Sequence, residues 1–419
     1  MVDTLRIIGG TRLEGSVSMS GAKNAALPII AATLLTGRIS RLTNVPALTD
    51  VTSMEDAVRS VGGAVERHGD TSCIDTSGAR DADVDYASVR RMRAVLLLLA
   101  PMLARFGVAR VARPGGCAIG GRPIDEHVAA LRALGAEVED AGDTIQARAP
   151  KGLHGARIAL RVPSVGATHM ALMAATAARG ETEIVNAAME PEVGDLIAYL
   201  TDAGAQIAGE GTARLVVSGP TSWRDVEHEL IPDRIEAGSY LLASAITGGR
   251  LEVMGARLEH LGALVGTMER AGLSVFPTSR GLMAERNGPL RGVEVRTDAF
   301  PGFPTDLQAQ VMALATVADG PSVIEETIFE NRFMHVPELQ RLGARIRLRG
   351  QVASIEGGAR LRGTDVEATD LRASMGLVLA ALAAEGVTVL RGAHHLDRGY
   401  VDIVRKLQRC GARIERGAS

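Results

Sequence analysis

Four glycines fall within the seven residues Gly115-Gly116-Cys117-Ala118-Ile119-Gly120-Gly121, and Arg113 and Arg122 flank the run. Glycines at that density give a backbone the freedom that a loop closing over a ligand needs. Cys117 stands in the middle. Neighbouring cations and free loop amides depress a thiol pKa, so a reactive cysteine, acting as proton donor or nucleophile, is expected here. The plainer reading is a flexible turn with an incidental thiol. Lys23-Asn24 and Arg93 stand at the starts of helical runs. The helix dipole favours anions there, so cations in those places point either to an anionic ligand or to ordinary solvated surface residues. Asp233, Asp306 and Asp370 occupy equivalent positions in PDRIEA, PTDLQA and TDLRAS. Aspartate caps helix N-termini well, and at least two of the three are expected to be structural. Arg372 and Arg398 add two more cations suited to bidentate binding of a carboxylate or phosphate.

The remaining reactive types read as scaffold. Cys73 in the strand-like SCID and Cys410 before a Gly-Ala turn are expected to be buried. His394-His395 reads as a solvated strand end. No His/Cys/Asp group has metal-ligand spacing, and neither a GxxxxGKS/T nor a strand-linked GxGxxG motif occurs. A P-loop or Rossmann cofactor is therefore not expected.

The elements that must position these residues repeat six times. A Gly-Ala turn (Gly-Leu at Gly272) recurs at Gly63, Gly135, Gly204, Gly272, Gly343 and Gly411, with gaps of 72, 69, 68, 71 and 68 residues. An Ala/Leu/Met-rich helical run ending at a glycine keeps step with it at Gly37, Gly107, Gly180, Gly249, Gly320 and Gly386. Two landmarks at one spacing predict six copies of an α/β unit, ordered helix, strand, helix, strands. At 419 residues, a split into two domains of three copies is expected. The crossover is expected within the least repetitive stretch, Gly219 to Glu229. If equivalent helices point the same way, their N-termini converge where an anion can bind.

Composition narrows the classes. Hydrophobic residues make up 46% and charged residues 23%, as in a soluble globular protein with a large core. A net charge of −3 gives no bulk attraction to nucleic acid or to an anionic membrane. Any anion must meet a local basic cluster. No signal peptide is read at MVDTLRIIGG, and the apolar run Ala94 to Ala104 is too short to span a bilayer. Three cysteines suit a reducing cytoplasm. Oligomeric state is not read from these features.

SGAKNAALPI, RRMRA, PGGCAIGGRP, SVGAT, FPTDLQAQ, FENRFMHVPEL, ATDLRAS and LDRGY, in this order, resemble the UDP-N-acetylglucosamine 1-carboxyvinyltransferase family of enolpyruvyl transferases along essentially the whole chain. The resemblance implies a two-domain inside-out α/β barrel built from six α/β units. Residues 22–231 would form the domain with the Cys117 loop, residues 1–21 and 232–419 the other, with the active site in the cleft between them. It implies transfer of the enolpyruvyl group of phosphoenolpyruvate to the 3′-hydroxyl of UDP-N-acetylglucosamine in peptidoglycan synthesis, with phosphate released and no cofactor. By motif, Cys117 would protonate the methylene carbon and Asp306 would serve the sugar hydroxyl. Lys23, Arg122 and Arg398 would hold the phosphate, Arg372 with Arg398 the carboxylate, and Asn24 and Arg93 would arrange substrate and lid. Arg122, Pro123, Ile124, Asp125, Glu126, Ser164, Val165, Gly166 and Ile328 would line the nucleotide site, with Glu190, Thr305 and Asp370 also binding substrate. Phosphoenolpyruvate carries about three negative charges, which fits a local cluster of cations in an acidic protein.

Four positions depart from the family pattern. Val162 stands for a usual lysine, Met189 for an arginine, Gly194 for a branched apolar residue and His68 for an asparagine. The related 5-enolpyruvylshikimate-3-phosphate synthases share the fold and the donor but lack the PGGC loop. A paralogue using another nucleotide would also account for the departures. A non-catalytic sugar-nucleotide binder would be expected to have lost one of the key residues, all of which are present.

Overall fold

The computed structural model describes residues 3–84, 93–113, 124–220 and 222–418. The chain forms two compact units, one from Met1–Ser20 with Pro232–Ser419, the other from Gly21–Gly116 with Arg122–Ile231. Among the described residues each unit holds three four-stranded sheets, and all six share one pattern. A parallel pair comes first and two antiparallel joins follow. In one sheet Arg157–Ala159 runs parallel to Glu181–Val185, which is antiparallel to Arg214–Ser218, itself antiparallel to Gln206–Ala208. In four sheets the parallel strands are consecutive and a buried helix makes the crossover between them, while in the other two the parallel partner comes from a distant part of the chain.

Two sheets of the first unit are completed by the start of the chain. Asp3–Ile8 lies between Val387–Arg391 and Arg413–Ala418, antiparallel to both. Glu14–Ser18 runs parallel to Arg250–Met254. The two ends of the chain thus share one sheet, where Thr4 Oγ1 donates to the Gly417 carbonyl at 3.0 Å. In the other unit Val226–Glu229, at the end of the unrepetitive stretch, returns to pair with Ile39–Thr43.

Three buried helices form the core of each unit. Lys23–Thr36 is buried at every residue except Asn24, because apolar and small residues surround the whole helix. Leu99–Phe106 and Val165–Ala175 pack with it. In the other unit Arg234–Thr247, Gln308–Val317 and Leu371–Ala383 pack mutually in the same way. Small residues permit the approach: a Cβ on Gly376 would sit 2.8 Å from the Ala309 carbonyl oxygen of the neighbouring helix.

Several expectations shift in detail. The first Gly-Ala landmark belongs to Gly62, not Gly63, because Gly62 takes the left-handed conformation (φ +94°) that Gly135, Gly204, Gly272, Gly343 and Gly411 take in the other copies. A left-handed glycine closes the helix at Gly37, Gly107 and Gly248, the last one residue before the expected Gly249. In the third, fifth and sixth copies the helices stop earlier, at Ala175, Val317 and Ala383. The second copy begins as the 3-10 turn Arg93–Leu98 before becoming α-helical at Leu99. Cys73 is half-buried rather than buried, since Ser72 and Ile74 occupy the inward positions of its strand. Cys410 is buried, and burial pushes its thiol pKa up. His394 and His395 stack 4.3 Å apart on the 3-10 turn Ala393–Arg398, not at a strand end.

Candidate active site

In the unit built from the chain ends, the equivalent aspartates part ways. Asp233 caps Arg234–Thr247, accepting from the backbone N–H groups of Ile235 and Glu236 at 2.8 and 2.9 Å. Asp370 caps Leu371–Ala383 through Arg372 and Ala373 at 2.9 and 3.1 Å. Asp306 stands at no cap position. It lies on the 3-10 turn Thr305–Leu307 that leads into Gln308–Val317, and its carboxylate turns to two buried guanidinium groups. Arg332 Nη2 donates to Oδ1 at 2.8 Å, while Arg372 Nε and Nη2 donate to Oδ2 at 3.2 and 3.0 Å.

Both arginines are held from behind. Arg372 lies 5.8 Å over the Tyr400 ring, and Arg332 lies 5.1 Å over that of Phe329. Burial opposes the charge of Arg372, but the Asp306 carboxylate, with Tyr400 and Asp233 adding to it, holds its pKa above the ordinary guanidinium value. Beneath them, Gln310 Nε2 donates to the Asp306 carbonyl at 3.0 Å and to Tyr400 Oη and Ser239 Oγ at 3.2 Å each. This buried knot joins two core helices to the segment after Arg398, which ends the 3-10 turn Ala393–Arg398. Ile328 is exposed.

The other unit supplies a second polar group. Lys23 is buried at the start of its helix, with Nζ 3.4 Å from Asp50 Oδ2. Ala22 holds the N-cap position there without a side-chain hydrogen bond. Ser164 caps Val165–Ala175 by accepting from Ala167 N at 3.4 Å. Gly166 is needed where it stands, because a Cβ would lie 2.6 Å from His127 Nε2. Glu126 receives the Arg161 backbone N–H at 3.0 Å and pairs with its guanidinium, beside exposed Asp125. Asp125, Arg161 and Ile124 border an open cavity of about 750 Å³. Glu190 is buried at the N-cap of Pro191–Asp202.

The family model of EPSP synthase (3-phosphoshikimate 1-carboxyvinyltransferase) matches residues 7–407. The Mesorhizobium japonicum protein named UDP-N-acetylglucosamine 1-carboxyvinyltransferase 2 is 57% identical over 415 residues, covering 99% of each chain. The UDP-N-acetylglucosamine 1-carboxyvinyltransferase of Gluconacetobacter diazotrophicus is 51% identical over 417 residues, again covering 99% of each. This chain belongs to the UDP-N-acetylglucosamine 1-carboxyvinyltransferase family. Among solved structures, the enolpyruvyl transferase NikO from Streptomyces tendae aligns over 100% of both chains with a TM-score of 0.90 and 29% identity. An EPSP synthase from Acinetobacter baumannii, at 17% identity and a TM-score of 0.76 over 99% of this chain and 100% of that one, shares the fold.

Within this family member the sequence-derived residues divide between the units. Asp306, Thr305, Ile328, Asp370, Arg372 and Arg398 lie in the unit of the chain ends; Lys23, Asn24, Ile124, Asp125, Glu126, Ser164, Val165, Gly166 and Glu190 lie in the other. Cys117, Arg122 and Pro123 lie outside the described residues, and of Arg93 only the backbone, opening its 3-10 turn, is described. Arg332 escapes sequence reasoning. It sits in FENRFMHVPEL at no repeat-equivalent landmark, and only its 2.8 Å bond to Asp306 marks it. Of the departures, Val162 is exposed and Gly194 faces only the end of the Glu210 side chain at 3.1 Å.

Proposed function

We propose that the protein moves the enolpyruvyl group of phosphoenolpyruvate onto the 3′-hydroxyl of UDP-N-acetylglucosamine, the first committed step of peptidoglycan synthesis. The observation that carries this reading is the family membership at 57% identity over 99% of both chains, joined to an aspartate held by two buried arginines. The sugar oxygen attacks C2 of phosphoenolpyruvate while its C3 methylene takes a proton, giving a tetrahedral ketal that retains the phosphate. Loss of a proton from the new methyl group then expels phosphate and restores the double bond. The balance needs no cofactor, since the donor carries its own leaving group.

Cys117 supplies the proton to C3, and Asp306 receives or orients the hydroxyl proton. Arg372 and Arg398 face the donor carboxylate; Lys23, Arg122 and Arg398 face its phosphate; Asn24 and Arg93 arrange the substrates. The nucleotide lies along Arg122, Pro123, Ile124, Asp125, Glu126, Ser164, Val165, Gly166 and Ile328, with Glu190, Thr305 and Asp370 at its edges. The open cavity beside Ile124 and Asp125 supports that placement. Pre-set guanidinium groups stabilise charge as it develops at C2 without reorganising water. Three sheets around three buried helices in each unit support reading both as inside-out barrels. The ligands are small molecules, with no nucleic acid and no membrane insertion. Three cysteines suit the cytoplasm, and among the described residues no helix is long and apolar enough to cross a membrane.

Phosphate release from phosphoenolpyruvate tests the reading, with UDP-N-acetylglucosamine and shikimate 3-phosphate as rival acceptors. Release only with the sugar nucleotide is expected, and Cys117→Ser should slow it at least about a hundredfold. Release only with shikimate 3-phosphate would reverse the assignment. An undiminished Cys117→Ser variant would remove the thiol as the acid.

A further inference from the structure

Beside the charged residues described above lies one carboxylate with no exposed surface. Glu326 follows the strand Ser322–Glu325 and is buried to 0% exposure. Its Oε1 accepts from Thr297 Oγ1 at 3.0 Å and from the backbone N–H groups of Ile328 and Phe329 at 2.9 and 3.2 Å. Its Oε2 accepts from Thr305 Oγ1 at 2.8 Å. With its proton committed to Glu326, the Thr305 oxygen offers a lone pair to Arg332, whose Nη1 donates at 3.3 Å. The same guanidinium donates through Nη2 to Asp306 Oδ1 at 2.8 Å.

The donors are matched to a carboxylate in particular. An amide with its oxygen in place of Oε1 would have no acceptor left for the Thr305 proton, and a hydroxyl has no second oxygen, so only a carboxylate serves all four donors. If Thr305 were free to donate elsewhere, Arg332 would lose the acceptor that sets its rotation, and only one edge of its fork would still be anchored. Each bond in the series therefore fixes the donor-acceptor sense of the next.

We propose that Glu326 is a positioning residue for the transfer reaction. It ties the turn carrying Ile328, on the acceptor side, to the Thr305 hydroxyl and, through Arg332, sets the direction of the Asp306 carboxylate. The inference rests on the roles given to Asp306 and Ile328 above.

The test uses the full-length protein with phosphoenolpyruvate and UDP-N-acetylglucosamine, following phosphate release at varied acceptor concentration. Glu326→Gln removes the acceptor that fixes the Thr305 proton, and should lower kcat about tenfold or more while raising the acceptor KM several-fold. Thr305→Val keeps the shape but loses the hydroxyl. It should lower kcat by about the same factor, and Thr305→Ser should recover most of that loss. The double variant Glu326→Gln/Thr305→Val should fall no more than about threefold below the worse single one, because both act through one path. A purely structural role would lower thermal stability without the recovery by Thr305→Ser and without the non-additivity of the double variant. Wild-type kinetics in Glu326→Gln, equal losses in Thr305→Ser and Thr305→Val, or fully additive losses would overturn the proposal. Should Glu326→Gln fail to fold, the cycle of Thr305→Val with Arg332→Lys decides it in the same way, non-additivity supporting and additivity overturning. A parent protein that releases no phosphate with this acceptor sinks the functional reading itself, whereas an active parent with unaffected variants sinks only the positioning role.

Discussion

At the scale of single residues, the three equivalent aspartates show how neighbours decide a role that residue type leaves open. Asp233 and Asp370 spend a carboxylate oxygen on two N–H groups of the helices they begin, while Asp306 has both oxygens on guanidinium groups. The difference starts in the turn. Thr305–Leu307 is a 3-10 turn, so Asp306 sits one residue inside it rather than before it. Arg332→Met should expose the consequence: Asp306 would be held from one side only, and kcat should fall between about tenfold and a thousandfold. Steady-state phosphate release measures it, and wild-type kcat would show that Arg372 alone orients the carboxylate.

At the scale of elements, the core helices work because they are covered on every side and come close. Lys23–Thr36 and Leu371–Ala383 carry almost no surface, so packing places their N-terminal residues, with the Asp370 cap adding to it in the second helix. Close approach depends on glycine at Gly376. Replacing it by alanine drives a methyl group to 2.8 Å from the Ala309 carbonyl oxygen, and backbone must yield. Gly376→Ala should destabilise the fold by about 1–3 kcal/mol, read as a lower urea midpoint with an unchanged slope. It should also reduce kcat, since Arg372 and Gln310 lie close by on the two helices forced apart. A variant as stable as the parent would mean that the helices slide apart at no cost.

At the scale of the whole molecule, pH links the cores of both units to stability. His169 lies in one core helix, and burial pulls its imidazole pKa down from 6.5 to about 4. Burial does the same to His335, again to about 4, against the opposing pull of the Asp370 charge. Both folded values lie below the unfolded one, so the unfolded chain binds more protons between them. The stability they contribute is complete above about pH 6.5 and is lost as pH falls toward 4, by up to about 3 kcal/mol for each. Urea midpoints should therefore drop steeply from pH 7 to pH 5, and His335→Gln should flatten that slope. An equal slope in parent and variant would assign the acid sensitivity elsewhere.

Much of this is legible along the chain. Six copies show in the glycine turns because a positive φ is a local demand that few residues besides glycine meet, and five of the six turn glycines stand where the spacing puts them. The cations at Lys23, Arg372 and Arg398 show because they break the pattern of an otherwise apolar repeat. What tertiary structure decided lies in contacts between distant segments. Arg332 and Glu326 have no periodic signature, and their roles appear only when strand Ser322–Glu325 brings them against Thr305 and Asp306. The half-burial of Cys73 depended on which strand face turned inward, a matter of one residue in register. The sharing of one sheet by Asp3–Ile8 and Arg413–Ala418 required the chain to close on itself across nearly its full 419 residues. Local periodicity records what each segment can form; the partners of a polar side chain are set by whichever distant segment packing delivers to it.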